Sequence, residues 1–219
     1  MELVYWQRQT PEQPLFPDIE WSKPEQRSRA GKLGIIGGNK LGFAGVAEAY
    51  STALASGVGE VRVLLPDVLK NTLPRTMDGV TYAPSNPSGG LAQEAINELR
   101  ALGAWSDGLL LIGDAGRNSQ TAIVYSQLLR DYQDPAIITR DAADLVRNDS
   151  AILAARQNTV LILSFAQLQK LFRTLYYPKI LTFSMQLLQL VEALHKFTVT
   201  YPITITTLHQ DTLVTASSG

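Results

Sequence analysis

The segment Lys32 to Pro66, KLGIIGGNKLGFAGVAEAYSTALASGVGEVRVLLP, constrains the fold more than any other part of the chain. A short apolar run, 33–36, ends in Gly37-Gly38. A loop carrying Gly42, Phe43 and Gly45 follows, then a helical stretch of small residues, then a second apolar run, 61–65. This is the order of a βαβ unit with a glycine turn between strand and helix. Glycine has no Cβ, so such a turn can be sharp and can approach a ligand closely, and the N–H groups at a helix start attract anions. The spacing predicts two parallel strands with Gly37-Gly38 at the carboxyl end of a central one, and a phosphate-bearing ligand beyond it.

The pattern continues to the end of the chain. Apolar runs at 79–82, 108–112, 136–139 and 159–163 alternate with helical periodicity. Val46, Ala49, Tyr50, Ala53 and Gly57 share one face, as do Leu91, Ala95, Leu99 and Leu102. Residues 119–131 read as a helix and 141–156 as one or two short ones. Leu168, Leu171, Phe172 and Leu175 repeat the period, and Leu187, Leu190, Val191 and Leu194 do so inside a helix expected over 183–199. The β-like runs 203–208 and 212–216 flank His209-Gln210-Asp211 and read as a hairpin. Strands alternating with helices imply a mostly parallel sheet covered on both faces, a three-layer α/β/α domain with a C-terminal hairpin.

Two parts are expected: an arm over 1–31 and one α/β domain over 32–219. The arm carries Pro11, Pro14, Pro17 and Pro24, which exclude a long helix or central strand. Its Trp6, Phe16 and Trp21 predict packing across the body or onto a second subunit, hence a homo-oligomer. A net charge of −1 offers no basic face, so nucleic acid is not an expected partner. The absence of cysteine excludes disulfides, thiolate metal sites and thiol nucleophiles. No signal-peptide pattern or membrane-length apolar run is visible, so the expectation is a cytoplasmic protein without a membrane partner.

Three predicted strand ends carry candidate chemistry: Gly37-Gly38-Asn39, Gly113-Asp114-Ala115-Gly116, and Arg140-Asp141 with Asp144. Each has a plainer reading. The glycine pair is also a common tight turn, Asp114 fits an Asx helix cap, and Asp141 fits an N-cap with Asp144 three residues on. The histidines point nowhere definite: His195 reads as a solvated or half-buried helix residue and His209 as a surface turn. Two histidines without cysteine or paired carboxylates make no recognisable metal site. No G-x-S-x-G elbow or GxxxxGK[ST] loop is present.

Four segments in order resemble the ribokinase-like NAD(P)H-hydrate dehydratases, which use ADP or ATP to repair hydrated nicotinamide cofactors. WSKPEQRSRAGKLGIIGGNKLGFAGVAEAYSTALASGVGEVRVLLPD is similar to that family's glycine loop, small-residue helix and second strand. WSDGLLLIGDAGR resembles its IGPGLGR segment, PAIITRDAADLV its DADAL segment, and TITTLHQDTLVTA its TKGxDTLV hairpin. The resemblance implies a ribokinase-like fold, ADP or ATP as cofactor, and NAD(P)H or its hydrate as ligand. It places the nucleotide or dinucleotide at Gly37, Gly38, Asn39, Gly42, Phe43 and Gly45, with Asp141 and Asp144 toward substrate. A separate expectation, an enzyme of altered chemistry, would use Asp114 or Asp141 as its base.

The departures shape the functional expectation. Where the family holds substrate with a His-Pro-Gly-Glu loop, this chain reads Ser164-Phe165-Ala166-Gln167, and the hairpin's Lys-Gly is His209-Gln210. The family's glycine-rich anion hole and its aspartate are expected after the hairpin, and the sequence reaches Ser217-Ser218-Gly219 without them. Without those positioned donors, the charge that develops during phosphoryl transfer goes unstabilised. The expectation is therefore a degenerate relative that still binds a nucleotide, or a structural module that keeps only the scaffold; an active chain would be a dehydratase-like lyase or a ribokinase-like kinase.

Overall fold

Val, Ile and Leu runs bounded by glycine, proline or polar turns become strands, and the longer periodic stretches between them become helices. The computed structural model describes residues 4–72 and 77–218, so residues 1–3, 73–76 and 219 lie outside it. In chain order the elements are α1 (Asp18–Trp21), β1 (Lys32–Gly37), α2 (Ala44–Ala55), β2 (Glu60–Pro66), β3 (Val80–Ala83), α3 (Ile96–Trp105) and β4 (Gly108–Gly113). They continue with α4 (Ser119–Asp131), β5 (Ala136–Thr139), α5 (Arg140–Val146), α6 (Ser150–Ala155), β6 (Thr159–Leu163), α7 (Phe165–Thr174), α8 (Leu187–Thr200), β7 (Ile203–His209) and β8 (Thr212–Ala216).

The eight strands form one sheet in the order β3-β2-β1-β4-β5-β6-β7-β8. Every pairing is parallel except the β7–β8 hairpin. The βαβ reading of Lys32 to Leu65 is therefore met, with β1 central between β2 and β4. Chain direction reverses once: β2 and β3 lie to one side of β1, and β4 onward to the other. The β1/β4 boundary is thus the topological switch point, where open sheets of this kind have their crevice.

Alternation along the strands divides the core in two. Ile36, Leu64, Leu109, Leu111, Ile138, Leu161 and Ile205 face one side, against Leu99, Val124, Leu145, Leu171 and Leu194 from the helices α3 to α8. Ile35, Val61, Val63 and Leu65 face the other side, against Val46 and Ala53 of α2. Each fully buried aliphatic side chain of this kind contributes about 1.5–3 kcal/mol. The small-residue face foreseen for α2 is this contact, with Ala49 and Tyr50 partly buried beside it. Beneath α7 and α8, Phe172 and Phe197 stack at 4.4 Å, and Tyr177 meets both rings edge-on.

Two boundaries differ from the periodicity. Leu91 is buried but precedes α3 in a loop and a short 3-10 turn, because Asn86 draws that loop inward. The final helix begins at Leu187 rather than 183, and Thr182 to Gln186 form its approach. The arm also departs from expectation. Trp6 is 42% and Trp21 90% exposed, so neither is buried against the body. The arm is instead fastened at its carboxyl end, where Arg27 Nε donates to the Gly59 carbonyl at 3.0 Å and Gly59 N donates to Ala30. Nearer its start the arm touches the body through Tyr5, whose ring stacks on His195 of α8.

One buried cation fastens the β5–β6 end of the sheet. Arg156 follows α6, is 6% exposed, and donates to the carbonyls of Tyr132, Asp134, Gln157 and Asn158 and to Thr159 Oγ1. A fork of this shape satisfies several orphan carbonyls that no lysine or apolar residue can reach together. Arg156→Ala is expected to lose about 2–4 kcal/mol of unfolding free energy, with Arg156→Lys recovering less than half. Urea denaturation measures both; a loss below about 1 kcal/mol for the alanine variant would show that water replaces the guanidinium at little cost.

Candidate functional site

The carboxyl ends of β1, β4 and β5 lie side by side, and they bring most of the residues singled out in the sequence to one edge. Parallel register slips there: Ile36 pairs with Leu111, but Gly37 pairs with Gly113, skipping one residue. A Cβ on Gly37 would stand 2.4 Å from the Gly113 carbonyl oxygen, and one on Gly113 would stand 2.3 Å from Asp141 Oδ1. Gly38, Gly113 and Gly116 hold φ of +78°, +103° and +78°, which side-chain-bearing residues rarely adopt. The glycines here are required by contact and by backbone alike.

The loop after β1 is closed on itself. Gly38 N donates to the Gly113 carbonyl, Asn39 and Gly42 exchange two backbone bonds of 3.0 Å, and Leu41 N donates to Asn39 Oδ1. Lys40 N donates to the carbonyl of Gly89, in the loop after β3. That loop was not singled out in the sequence. Buried Asn86 organises it, donating to the Leu91 carbonyl and Thr121 Oγ1 and accepting from Ser88 N and Gly90 N. Its signal was the turn-rich run Ser85 to Gly90 directly after an apolar strand.

Asp114 crosses from β4 to the start of α2. Its Oδ2 accepts from Gly45 N at 2.7 Å, and its Oδ1 accepts from Arg140 Nη2 at 2.9 Å. The Asx cap read into GDAG is thus not at the following helix. Asn118 caps α4 by accepting from Gln120 N, whereas Asp114 serves α2, whose own N-cap residue Phe43 makes no side-chain cap bond. A carboxylate in this position meets the partial positive charge of the helix start. At Gly45 a Cβ would lie 2.9 Å from Asp114 Oδ2 and 3.0 Å from Arg140 Nη1, so the ends of those two side chains would have to shift.

Asp141 is not the N-cap of α5; Thr139 stands there without a side-chain cap bond. Asp141 Oδ2 instead accepts from Gly116 N at 3.0 Å, and its Oδ1 is buried without a partner. Asp144 stands away from the glycines, in the second turn of α5, accepting from Gln167 Nε2 at 2.9 Å beside Arg147 and Lys170. The segment Ser164 to Gln167 is the start of α7, closed by a capping box between Ser164 and Gln167, and Gln167 also donates to the Arg140 carbonyl.

Arg140 does more than its place in the sequence suggests. It holds φ of +54°, as Asp114 holds +53°, so two side-chain-bearing residues in the left-handed region face each other across the β4–β5 ends. The Arg140 side chain is about half exposed, and its guanidinium lies beside Gly45 while pairing with Asp114. His209 is no surface turn: it ends β7, is 5% exposed and lies 5.7 Å from the Phe165 ring. His195 stacks on Tyr5 of the arm at 3.8 Å. Among the described residues, no three His, Cys, Asp or Glu side chains come together to hold a metal ion, and no helix is long and apolar enough to cross a membrane.

With this geometry the chain can be set beside known proteins. No protein-family profile matches it, and no curated protein does. Solved structures do. A ribokinase-like superfamily protein of Enterococcus faecalis V583 superposes with a TM-score of 0.67 at 16% identity, over 90% of this chain and 64% of that one. The fold is ribokinase-like. Similar values hold for the hypothetical protein SMU.573 of Streptococcus mutans (TM-score 0.62, 14% identity, 90% and 65% of the two chains). Bacillus subtilis YxkO, a UPF0031 family member described as a proposed kinase, gives 0.61 at 12% identity over 91% and 66%. The chain therefore spans just under two thirds of the length of these proteins.

Behind Asp141 lies Tyr125, fully buried, its hydroxyl without a hydrogen-bond partner. Burial first, and the nearby Asp141 carboxylate second, push that hydroxyl well above the usual tyrosine range. The folded state keeps a proton that the unfolded chain loses near pH ~10, so this group adds nothing to pH dependence below ~10 and lowers stability as pH rises above it. Tyr125→Phe removes a buried, unpaired hydroxyl at almost constant volume. It is expected to leave stability at pH 7 unchanged or raised by up to about 1 kcal/mol, and to flatten the alkaline loss. Denaturation at pH 7 and above pH ~10 tests this; a loss of about 2 kcal/mol at pH 7 would reveal a bridging water to Asp141 Oδ1.

Proposed function

We propose that the chain binds a nucleotide or dinucleotide across the β1/β4 switch point, as a divergent relative of the NAD(P)H-hydrate dehydratases. The observation that carries the reading is the convergence of Gly37-Gly38, Gly113 and the half-exposed Arg140 guanidinium on the start of α2. Glycines permit close approach, the helix start favours anions, and an arginine fork matches a phosphate. The fold supports a nucleotide-binding, kinase-like scaffold, since a neighbour of the same architecture is described as a proposed kinase. The ligands proposed are ADP or ATP and NAD(P)H or its hydrate. Asn39, Gly42, Phe43 and Gly45 flank the phosphates, and Asp141 lies toward the reacting end.

Asp114 governs binding. It already holds the Gly45 N–H and Arg140, so a phosphate gains these contacts only by taking the carboxylate's place or sharing it. The Arg140 side chain is 49% exposed and that of Asp114 21%, so water screens the pair in part and makes the exchange feasible. Low turnover is proposed for a separate reason. Ser164 and Gln167, at the position of the family's substrate loop, spend their side chains on a capping box and on Arg140 and Asp144. The segment itself carries no histidine or glutamate for acid–base work. A second reading, a scaffold without ligand, is favoured by one observation: the anion position at α2 is filled by the protein's own carboxylate.

Titration calorimetry with ADP, ATP and NADPH, together with an assay for restoration of NADH absorbance from its hydrate, separates these readings. Weak binding of at least one nucleotide with near-background turnover is expected. Asp114→Asn, which retains an oxygen for Gly45 N–H but removes the competing charge, is expected to tighten binding about 3- to 10-fold, and Arg140→Ala to weaken it about 10-fold. Absence of binding by all three ligands in both the parent and Asp114→Asn proteins would leave the scaffold reading. Robust turnover would refute degeneracy and make Asp114 and Asp141 the first residues to replace.

A further inference from the structure

Both sides of the Gln167 amide are engaged. Its Oε1 accepts from Ser164 N at 3.1 Å and from Ser164 Oγ at 3.2 Å. Its Nε2 donates to the Arg140 carbonyl at 2.6 Å and to Asp144 Oδ2 at 2.9 Å. The Ser164 backbone N–H can only donate and the Arg140 carbonyl can only accept, so one orientation of the amide satisfies both. An ionised glutamate of the same length would still serve Ser164, but it would set a third acceptor against the Arg140 carbonyl and the Asp144 carboxylate. What position 167 supplies is therefore a pair of N–H donors, beyond the acceptor that a capping box needs.

Arg140 is the residue that calls for such a fixture. It holds φ of +54°, a conformation that a side-chain-bearing residue keeps only when its surroundings over-determine it. Asp114 Oδ1 holds the guanidinium end, and Gln167 holds the carbonyl end. Rotation of the Arg140 backbone out of the left-handed region would swing its side chain away from Asp114 and Gly45. Asp144 holds Gln167 in turn, and its own charge is balanced by Arg147 Nη2 at 3.5 Å and Lys170 Nζ at 3.7 Å. The start of α5, its second turn and the start of α7 are thus joined through one side chain.

We infer that Gln167 is a positioning residue for Arg140: its two N–H donors fix the left-handed backbone so that the guanidinium is presented beside Gly45, and Asp144 fixes Gln167. The consequence for binding rests on the nucleotide reading proposed above, because the group presented is the arginine fork that meets a phosphate. The grip on that phosphate is then set from α7, by a side chain that does not itself touch the ligand.

Two readouts test this. In the first, nitrogen NMR of isotope-labelled arginine follows the Arg140 guanidinium, whose signals are identified by their loss in Arg140→Ala. Gln167→Glu is expected to shift these signals toward those of a freely solvated arginine. Adding Asp144→Asn removes the clash of two carboxylates but leaves the Arg140 carbonyl facing an acceptor. That double variant is expected to regain most of the lost melting temperature without restoring the signals. Unchanged Arg140 signals in Gln167→Glu, or signals restored together with the melting temperature in the double variant, would overturn the positioning role.

In the second readout, calorimetry with ATP measures Gln167→Glu in two backgrounds. The substitution is expected to weaken binding about 3- to 10-fold in the parent and less than about 2-fold in Arg140→Ala, since its effect passes through the guanidinium. Equal weakening in both backgrounds would also overturn the inference. Absence of ATP binding by the parent would count against the nucleotide reading alone, and the Arg140 signals would still decide the role of Gln167.

Discussion

The close approach of β1 and β4 at Gly37 and Gly113 is the constraint on which the rest of the structure depends. Two parallel strands normally keep their Cβ atoms clear of each other's backbone. Here a side chain at Gly37 would strike the Gly113 carbonyl, and one at Gly113 would strike Asp141. The register slip at this point brings Gly38 N onto Gly113 and turns Asp114 toward α2. Alanine at Gly37 would force β1 and β4 apart where the chain reverses direction, and with them the first helix and the candidate site. The glycines are consequences of this contact before they are features of any ligand.

Asp114 converts that backbone geometry into electrostatics. One carboxylate bridges a helix start on one side of the sheet and an arginine from the next strand end, so α2, β4 and α5 are held at one point. An empty helix terminus would bind anions from solvent without selectivity. A terminus held by a largely buried internal carboxylate asks a ligand to exceed what Asp114 provides, which favours a multiply charged group that engages both the Gly45 amide and Arg140. The same arrangement explains how two left-handed residues, Asp114 and Arg140, are retained: each is held by the hydrogen bonds of the other's side chain.

The strands were legible because each is a short Val, Ile or Leu run closed by glycine, proline or a polar turn, and their parallel order followed from the helices between them. The convergence of Gly37-Gly38, Asp114 and Asp141 was legible for the same reason, since all three sit at carboxyl ends. What those carboxylates do was not. Asp141 looks like an N-cap in sequence, yet it reaches the Gly116 amide, because Gly116 turns back under positive φ. His209 looks like a turn residue, but strand alternation carries its ring inward beside Phe165. Within one chain the arm meets the body through Tyr5 on His195 rather than through the tryptophans the sequence singled out, since Trp21 finds no groove there.

Coverage of the two faces follows from strand order alone. Right-handed crossovers place a helix on one face when the chain steps one way along the sheet, and on the other face when it steps back. From β1 to β2 the step goes one way, and α2 falls on the first face. From β3 the chain crosses to β4 and then steps in the opposite sense through β5, β6 and β7, so α3 to α8 all fall on the second. A single early reversal thus leaves β5 to β8 with helices on one side only. Alternating strands and helices in a sequence imply two helical layers, but where the reversal falls decides how far each layer extends. Here it falls after the third strand, and so the rows through Val160 and Ile162 carry no helix of the described residues on the α2 side.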